Sequence, residues 1–346
     1  MSGPESKPGA PAALPNPSLL MQMGLAYRSS AVLFAALELD VFTPLATGPR
    51  TAAEVAAAIG GVSHLPALTT LLDCCVSAGL LTVEGDRFGN TPVADAFLVK
   101  GRPTFSANQF KYIENLYPAW GHLADLVRTG KPPMPAEVML GNDKAVTRAF
   151  VMAMHERARG IGSVLSHFVD LTGRRRMLDV GGGPGTYSVE LVRQTPGLTS
   201  TVLDVPGVLE VTRELVDASG VADRVSLMPG DYLSSAFGTG FDVALLSGMM
   251  HRETEANCQR LLRKAFAALE PVALVLVSDV FFDDRSKRTP PFAVHFALNM
   301  MVTSDDGGAH AMTDMAAWMQ ATGFADVTTH PLPKPNPHTL ITGRRP

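Results

Sequence analysis

The stretch MLDVGGGPGTYSVEL, residues 177–191, constrains the fold of this 346-residue chain more than any other feature. An apolar run ends at Val180, four glycines fall within the next five positions, and a helical pattern begins at once. Glycines at such a point allow a tight turn and let a ligand approach the backbone at the amino end of a helix. The stretch therefore predicts a strand, a ligand-binding turn and a helix in immediate succession.

The same order of elements recurs along the second half of the chain. From Arg174 onward, strand candidates that are continuously apolar alternate with amphipathic helical segments. This pattern is typical of a mostly parallel sheet that is covered by helices on both faces. The predicted strands are RRMLDV, TSTVLDV, RVSLMPGD, FDVALLSG, ALVLVSDV, DVTTHPL and HTLITG.

The first hundred residues have a different character. A start rich in proline, glycine and serine predicts a disordered arm. Helical signals follow, among them a capping box at Thr51 and Glu54, and then two short strands are predicted around Gly85. Helices followed by a hairpin form a winged-helix pattern. The predicted domain plan is an arm (1–17), a winged-helix-like domain (18–102), a helical linker and substrate-pocket region (103–170) and an α/β domain (171–346).

The glycine turn differs from the common nucleotide-binding loops. The dinucleotide fingerprint G-x-G-x-x-G fails in every register, and no Walker lysine is present. The turn fits D-x-G-x-G-x-G instead, starting at Asp179. The next predicted strand ends in Asp204, where an acid can accept both hydroxyls of a ribose, and the third ends in Gly230, Asp231 and Tyr232. Acids at three successive strand ends favour a ligand with a ribose, an amino group and a positive charge.

This series resembles that of the class I S-adenosylmethionine-dependent methyltransferases, which have a doubly wound, Rossmann-like α/β fold. The whole chain after the arm is similar to the small-molecule O-methyltransferases that include the plant caffeate type and bacterial antibiotic-tailoring enzymes. The resemblance implies S-adenosylmethionine as cofactor and a homodimer whose N-terminal domain caps the partner's substrate site. The cofactor-binding residues that it implies are Asp179, Gly181, Gly182, Gly183, Gly185, Asp204, Val205, Gly230, Asp231, Tyr232 and Ser247.

The stretch LLSGMMHRE, residues 245–253, completes the predicted site. It ends the fourth strand, and the carboxyl ends of parallel strands face the ligand crevice. His251 falls where the family has its catalytic histidine, so the resemblance assigns it the role of general base. Asp279 ends the next strand, at an acidic position of the family, and is predicted to orient the ring of His251.

The surroundings of His251 depart from the family pattern. Arg252 stands where plant members have an aspartate, Glu253 where a tryptophan is usual, and Ser247 where they have a strand lysine. The family's second supporting acid, after a Gly-Gly pair, has no counterpart in DDGGAHAM. These changes leave open a related transfer to carbon or nitrogen, or an enzyme of this fold that binds the cofactor without methylating.

The resemblance also implies where a small aromatic or polyketide-like acceptor from secondary metabolism would lie. It places Phe150 and Met154 of the segment AFVMAM near the transferred methyl group, and Asn299 near the acceptor. The full set of predicted substrate residues is Phe150, Met154, His155, Met250, His295 and Asn299. The histidines of this region do not have the spacing of a known ligand motif, so no metal is predicted.

Composition and charge argue against other classes of protein. The net charge is −4, and residues 19–100 hold four basic against seven acidic side chains, which argues against nucleic acid and against a winged-helix, ligand-sensing regulator. Three cysteines without ligand spacing indicate a reducing compartment, and Cys74 and Cys75 are expected in the core. We expect a cytoplasmic protein without membrane contact, because the sequence shows no signal peptide and no apolar run of about 18–20 residues.

Overall fold

The computed structural model describes residues 16–134, 143–165 and 167–346. The chain divides into two compact units, Met1–Phe105 and Ser106–Pro346. All but the last two residues of the predicted arm lie outside the described residues.

The first unit combines helices with a small antiparallel sheet. Its elements are α1 (Ser18–Leu25), α2 (Tyr27–Glu38), β1 (Arg50–Thr51), α3 (Ala52–Ile59), α4 (Leu65–Ser77), β2 (Leu81–Glu84), β3 (Arg87–Asn90) and α5 (Pro92–Leu98). The predicted capping box starts α3: the Thr51 hydroxyl accepts from the Glu54 backbone N–H at 3.2 Å, and the Glu54 carboxylate accepts from the Thr51 N–H at 2.8 Å. The predicted hairpin is confirmed as β2 and β3, and the strand order is β1-β3-β2.

Helix α4 buries one apolar face, to which Leu68, Leu72 and Cys75 belong. Cys74 is exposed, so the expectation that both cysteines are core residues is wrong for this one. Successive residues of a helix are rotated by about 100°, so Cys74 and Cys75 do not share a face.

The N-terminal helical segment Ser18–Glu38 is mostly exposed, and its exposed side chains include apolar ones. Its 21 residues are long and apolar enough to cross a membrane by length and composition, which corrects the expectation that no such run exists. A segment of this kind near an N-terminus is weak evidence for a span, because other apolar helices meet the same criteria. Its most exposed apolar side chains are Leu19, Leu20, Met21 and Met23.

The second unit is an α/β domain with a helical entry. Its elements are α6 (Ala107–Trp120), α7 (Leu123–Thr129), α8 (Lys144–Leu165), β4 (Arg176–Val180), α9 (Thr186–Gln194), β5 (Thr199–Asp204), α10 (Pro206–Asp217), β6 (Val225–Pro229), β7 (Phe241–Ser247), α11 (Glu255–Ala268), β8 (Leu269–Asp279), β9 (Phe281–Phe282), α12 (Pro291–Thr303), β10 (His310–Ala311), α13 (Met312–Thr322), β11 (Ala325–Pro331) and β12 (Thr339–Arg344). All seven predicted strands of the main sheet are present.

The main sheet has the order β11-β12-β8-β7-β4-β5-β6. The strands from β8 to β6 are parallel, whereas β12 runs antiparallel to both β8 and β11. Both faces are buried: Leu178 and Leu246 pack into one apolar cluster, and Met177 and Leu245 pack into another on the opposite face. Burial on both faces explains why these strands are continuously apolar.

The sheet places its crevice between β4 and β7. From β4 the chain proceeds to β5 and β6 on one side, and from β7 it proceeds to β8 on the other. Ligands of such sheets bind at this switch in strand order, outside the carboxyl ends of the strands. The glycine turn follows β4 and the His251 turn follows β7, so both open onto the same crevice.

Candidate active site

The turn after β4 has a backbone shape that glycine adopts most easily. Gly181, Gly183 and Gly185 have φ angles of 62°, 53° and 70°, in the left-handed region. Gly182 is required for a different reason, since a Cβ there would lie 2.7 Å from Cγ of Asp179. At Gly183 an added Cβ would meet nothing within 4 Å, so the turn presents bare backbone to open space.

The carboxylate of Asp204 lies beside this turn, as predicted from the sequence. Its Oδ2 accepts from the Gly183 N–H and its Oδ1 from the Val205 N–H, both at 2.8 Å. Burial raises the pKa of Asp204, and these two hydrogen bonds and the positive charge of Arg252 oppose that rise. Each carboxylate oxygen can accept a second hydrogen bond. The side chain is therefore fixed in place and still able to accept from two ribose hydroxyls.

Asp179 lies underneath the turn, fully buried. Its Oδ2 accepts from the Ser188 hydroxyl at 2.7 Å, whereas its Oδ1 has no hydrogen-bond partner among the described residues. Burial, followed by the repulsion of Asp204, raises the pKa of Asp179 to about 7. An orphaned buried oxygen below a glycine cradle, with a second carboxylate beside it, suits a ligand that carries amino and sulfonium charges. The residues present thus fit S-adenosylmethionine.

The end of β6 supplies the third part of the predicted cofactor site. The Gly230 N–H donates to the Asp204 carbonyl at 2.9 Å, which holds the two strand ends together. The exposed Asp231 carboxylate is engaged in its own turn, where it accepts from the Leu233 N–H and the Ser234 hydroxyl at 2.9 Å each. The Tyr232 ring lies against the glycine turn, because a Cβ on Gly181 would be 3.3 Å from its Cδ1.

His251 lies at the carboxyl end of β7 in a short 3₁₀ turn, and its side chain is 9% exposed. Its Nδ1 is 2.7 Å from Oδ1 of Asp279, and its backbone N–H donates to Oδ2 of Asp279 at 3.2 Å. The edge of the ring meets Phe296, with centroids 4.8 Å apart. Burial alone would raise the pKa of Asp279, but the charge and hydrogen bond of His251, with a smaller contribution from His338, lower it to about 2. The structure therefore brings together the predicted base and its predicted carboxylate.

His310 supports the turn that carries His251. Its Nε2 lies 3.1 Å from the carbonyl oxygen of Met250 and 3.0 Å from that of Glu253. Both partners are acceptors, so Nε2 carries the proton and donates to the two carbonyls on either side of His251. The Gly308 N–H donates to the His251 carbonyl at 2.9 Å. This segment thus holds the turn that carries His251 through its backbone.

Three of the predicted substrate residues lie on α8. Phe150 meets Tyr112 edge-on, with centroids 5.6 Å apart, and packs near Val205. Met154 is half-buried. His155 Nδ1 lies 2.8 Å from the Thr186 hydroxyl at the start of α9, beside the glycine turn. Burial, with a contribution from Arg159, lowers the pKa of His155 to about 4, so this ring is neutral at pH 7.

The other predicted substrate residues have different surroundings. Asn299 Oδ1 accepts from the Trp120 indole at 3.0 Å. Met250 is fully buried in the main core, and its assignment to the acceptor stays a prediction. His295 lines a cavity of about 580 Å³ together with Glu253 and His310, and its assignment to the acceptor stays a prediction.

Ser247 is buried in the β7–β8 ladder opposite Ser278. Within the described parts of the chain, no group of three or more His, Cys, Asp or Glu side chains is placed to hold a metal ion. Sequence reasoning missed two contacts of the site: the His310 support, and a hydrogen bond from the Tyr232 hydroxyl to Glu253 at 2.7 Å. Neither has a local sequence signal, because each joins residues that are far apart in the chain.

The fold and the site define an S-adenosylmethionine-dependent methyltransferase. Residues 120–325 match the O-methyltransferase domain, and residues 21–100 match the O-methyltransferase dimerisation domain. The chain belongs to this O-methyltransferase family.

Relatives and a solved structure agree with this assignment along nearly the whole chain. The tetracenomycin polyketide synthesis 8-O-methyl transferase of Streptomyces glaucescens is 30% identical over 335 residues, which cover 95% of this chain and 97% of the relative. The 3-hydroxy-5-methyl-1-naphthoate 3-O-methyltransferase of Streptomyces sahachiroi is 30% identical over 339 residues, 97% of each. The structure of human N-acetylserotonin methyltransferase in complex with S-adenosylmethionine superposes with a TM-score of 0.84 at 28% identity, covering 95% of this chain and 97% of that one.

Proposed function

We propose that this enzyme transfers the methyl group of S-adenosylmethionine to a hydroxyl of a small aromatic or polyketide-like metabolite, with His251 as general base. The observation that carries the proposal is the buried His251–Asp279 pair at the carboxyl end of β7, beside the glycine turn. The names of the two Streptomyces relatives support this class of acceptor, since they refer to a tetracenomycin polyketide and to a hydroxynaphthoate.

The hydrogen bond of the His251 ring determines which ring nitrogen can accept a proton. Nδ1–H donates to Asp279, so Nε2 is the nitrogen that remains to accept the proton of an acceptor hydroxyl. Asp279 fixes the tautomer, orients the ring and stabilises the imidazolium that forms. The Phe296 edge contact restricts ring rotation.

The energetics require that proton removal accompany attack on the methyl group. A phenol has a pKa of about 10 and an ordinary imidazole one of about 6.5, so complete transfer before attack would cost about 5 kcal/mol. When bound, S-adenosylmethionine supplies an electrophilic methyl group and a positive charge. The chain's own contribution is to position the hydroxyl and to take up its proton as the new carbon–oxygen bond forms.

The test is His251→Ala, assayed with hydroxynaphthoates and related phenols. We expect the dissociation constant for S-adenosylhomocysteine to stay within about twofold of wild type while turnover falls by about 100-fold or more. Exposed His167 provides the matched control His167→Ala, which should retain full turnover. Undiminished turnover of His251→Ala would exclude the base role. Mass and NMR of the product decide among oxygen, carbon and nitrogen as the methylated atom.

We further propose that the protein is a homodimer formed through residues 18–102. The match to a dimerisation domain supports this, and so do the exposed apolar side chains of α1. Light scattering of the purified protein in detergent-free buffer should give twice the chain mass of 36.7 kDa. Leu20→Glu combined with Met23→Glu should shift the protein toward monomer. A monomeric wild type, or one that sediments with membranes, would contradict the proposal.

A further inference from the structure

A buried carboxylate, that of Glu253, connects the glycine turn after β4 to the turn after β7 that carries His251. Glu253 is 8% exposed and accepts two hydrogen bonds, from the Tyr232 hydroxyl at 2.7 Å and from the Asn257 amide at 2.9 Å. The tryptophan that is usual in the family at this position has no atom that could accept these two hydrogen bonds. A buried carboxylate is costly unless it is paired with donors, so its two donors are part of what allows it here.

The Tyr232 ring connects Glu253 to the glycine turn. Its Cδ1 and Cε1 would lie 3.3 and 3.4 Å from a Cβ placed on Gly181, so the ring covers the first glycine of the cofactor turn. Burial, together with the neighbouring charge of Glu253, raises the pKa of Tyr232, so its hydroxyl remains a donor at any working pH. The ring is therefore held at one end by the Glu253 carboxylate.

Glu253 is also tied to the catalytic turn. It follows His251 by two residues, and its carbonyl accepts from His310 at 3.0 Å. One residue thus contacts the cofactor side through its side chain and the His251 side through its backbone.

We propose that Glu253 is a positioning residue of the cofactor site: its carboxylate holds the Tyr232 ring over Gly181 and so joins the cofactor turn to the turn that carries His251. The inference rests on the cofactor site assigned above and deepens it. Neither Glu253 nor Tyr232 takes part in the proposed proton transfer.

The experiment measures S-adenosylhomocysteine binding by calorimetry for wild type, Tyr232→Phe, Glu253→Ala and the double variant. We expect each single variant to bind about three- to tenfold more weakly, because each removes the same charge-assisted hydrogen bond, and the double variant to be no weaker than Glu253→Ala alone. Exposed Glu255, two residues away, provides the control Glu255→Ala, which should bind as wild type does.

Glu253→Gln separates positioning from simple loss of packing. Its amide oxygen can accept from Tyr232, and the Asn257 amide can flip to accept from the new NH₂ group, so binding should return to within about twofold of wild type. Hydrogen exchange gives a second readout: S-adenosylhomocysteine should slow exchange in residues 248–256 of wild type and of Glu253→Gln, but not of Glu253→Ala.

The outcomes distinguish this inference from the site on which it rests. Wild-type affinity in Glu253→Ala, additive losses in the double variant, or failure of Glu253→Gln to restore binding would each overturn the positioning role. Asp204→Ala tests the cofactor site itself. If Asp204→Ala binds as wild type does, the cofactor site is wrong; if it binds weakly while Glu253→Ala is unaffected, only the role of Glu253 fails.

Discussion

Replacing Asp279 by asparagine removes the charge of the proposed catalytic pair and keeps the shape of the side chain. Oδ1 of Asp279 accepts from Nδ1 of His251 and from the Val280 N–H, both at 2.7 Å, whereas Oδ2 accepts from one donor, the His251 N–H at 3.2 Å. An asparagine will therefore place its oxygen at the Oδ1 position, where it satisfies two donors, and its NH₂ group at the Oδ2 position. The hydrogen bond to the ring is retained, whereas the negative charge and the weaker hydrogen bond from the His251 N–H are lost.

The expected fall in kcat follows from the difference in strength between a hydrogen bond to a charged group and one to a neutral group. A bond to a charged group contributes about 1.5–3 kcal/mol and a neutral one about 0.5–1.5 kcal/mol, so the imidazolium formed in the transition state loses about 1–2 kcal/mol of stabilisation. That loss lowers kcat by about 5- to 30-fold. Asp279→Ala also unpairs the buried ring and leaves a cavity, so a decrease of more than about 100-fold is expected.

The assay is steady-state methyl transfer with S-adenosylmethionine varied at saturating acceptor. Asp279→Asn should lower kcat and leave the KM for S-adenosylmethionine within about twofold of wild type, since the loss arises only when the imidazolium forms. Exposed Asp283 provides the control Asp283→Asn, which should be unchanged. The reasoning is refuted if Asp279→Asn turns over as fast as wild type, or if it changes only the KM for S-adenosylmethionine.

The remaining predictions concern stability and the support of the site. Gly182→Ala should lower the free energy of unfolding by about 1–3 kcal/mol, because its Cβ would meet Asp179 and Val202 at under 3 Å. The control Gly160→Ala, whose Cβ would lie in open space, should not lower it. Equal melting temperatures for the two variants would contradict this expectation. The pKa of Asp179 is raised in the folded state to about 7 from an ordinary 3.8, so the wild type should lose stability as pH rises from about 4 to about 7. In denaturant titrations at several pH values, Asp179→Asn should remove this dependence of stability on pH. Parallel curves of stability against pH for the two proteins would contradict the prediction. His310→Ala should lower kcat and thermal stability by removing the donor to two backbone carbonyls, and His310→Gln, which can donate to one of them, should lose less; identical behaviour of the two would exclude the support role.

Much of the fold could be predicted because its signals are local. The strand–glycine–helix unit at β4 and the capping box at Thr51 each depend on a few neighbouring residues. The order of strands at the far edge could not be predicted, since the insertion of β12 between β8 and β11 depends on pairing between distant segments. The two-residue strands β9 and β10 likewise pair only because tertiary contacts bring them together.

In the site, too, some contacts could be predicted from the sequence and others could not. The proximity of His251 and Asp279 followed from topology, because both end adjacent parallel strands at one edge of the sheet. The Tyr232–Glu253 contact spans 21 residues, and the His310 contact with the Glu253 carbonyl spans 57, with no motif at either end.

Arg252 stands where plant members have an aspartate, yet His251 still has a negatively charged partner. That partner comes from Asp279 on the adjacent strand, whose carboxylate contacts both the ring and the backbone of the histidine. The positive charge of Arg252 instead lowers the pKa of Asp204 against the effect of burial, and so favours the ionised form of the carboxylate that is predicted to hold the ribose. In this enzyme the charge that supports the proposed base and the charge that tunes the cofactor carboxylate therefore belong to different residues.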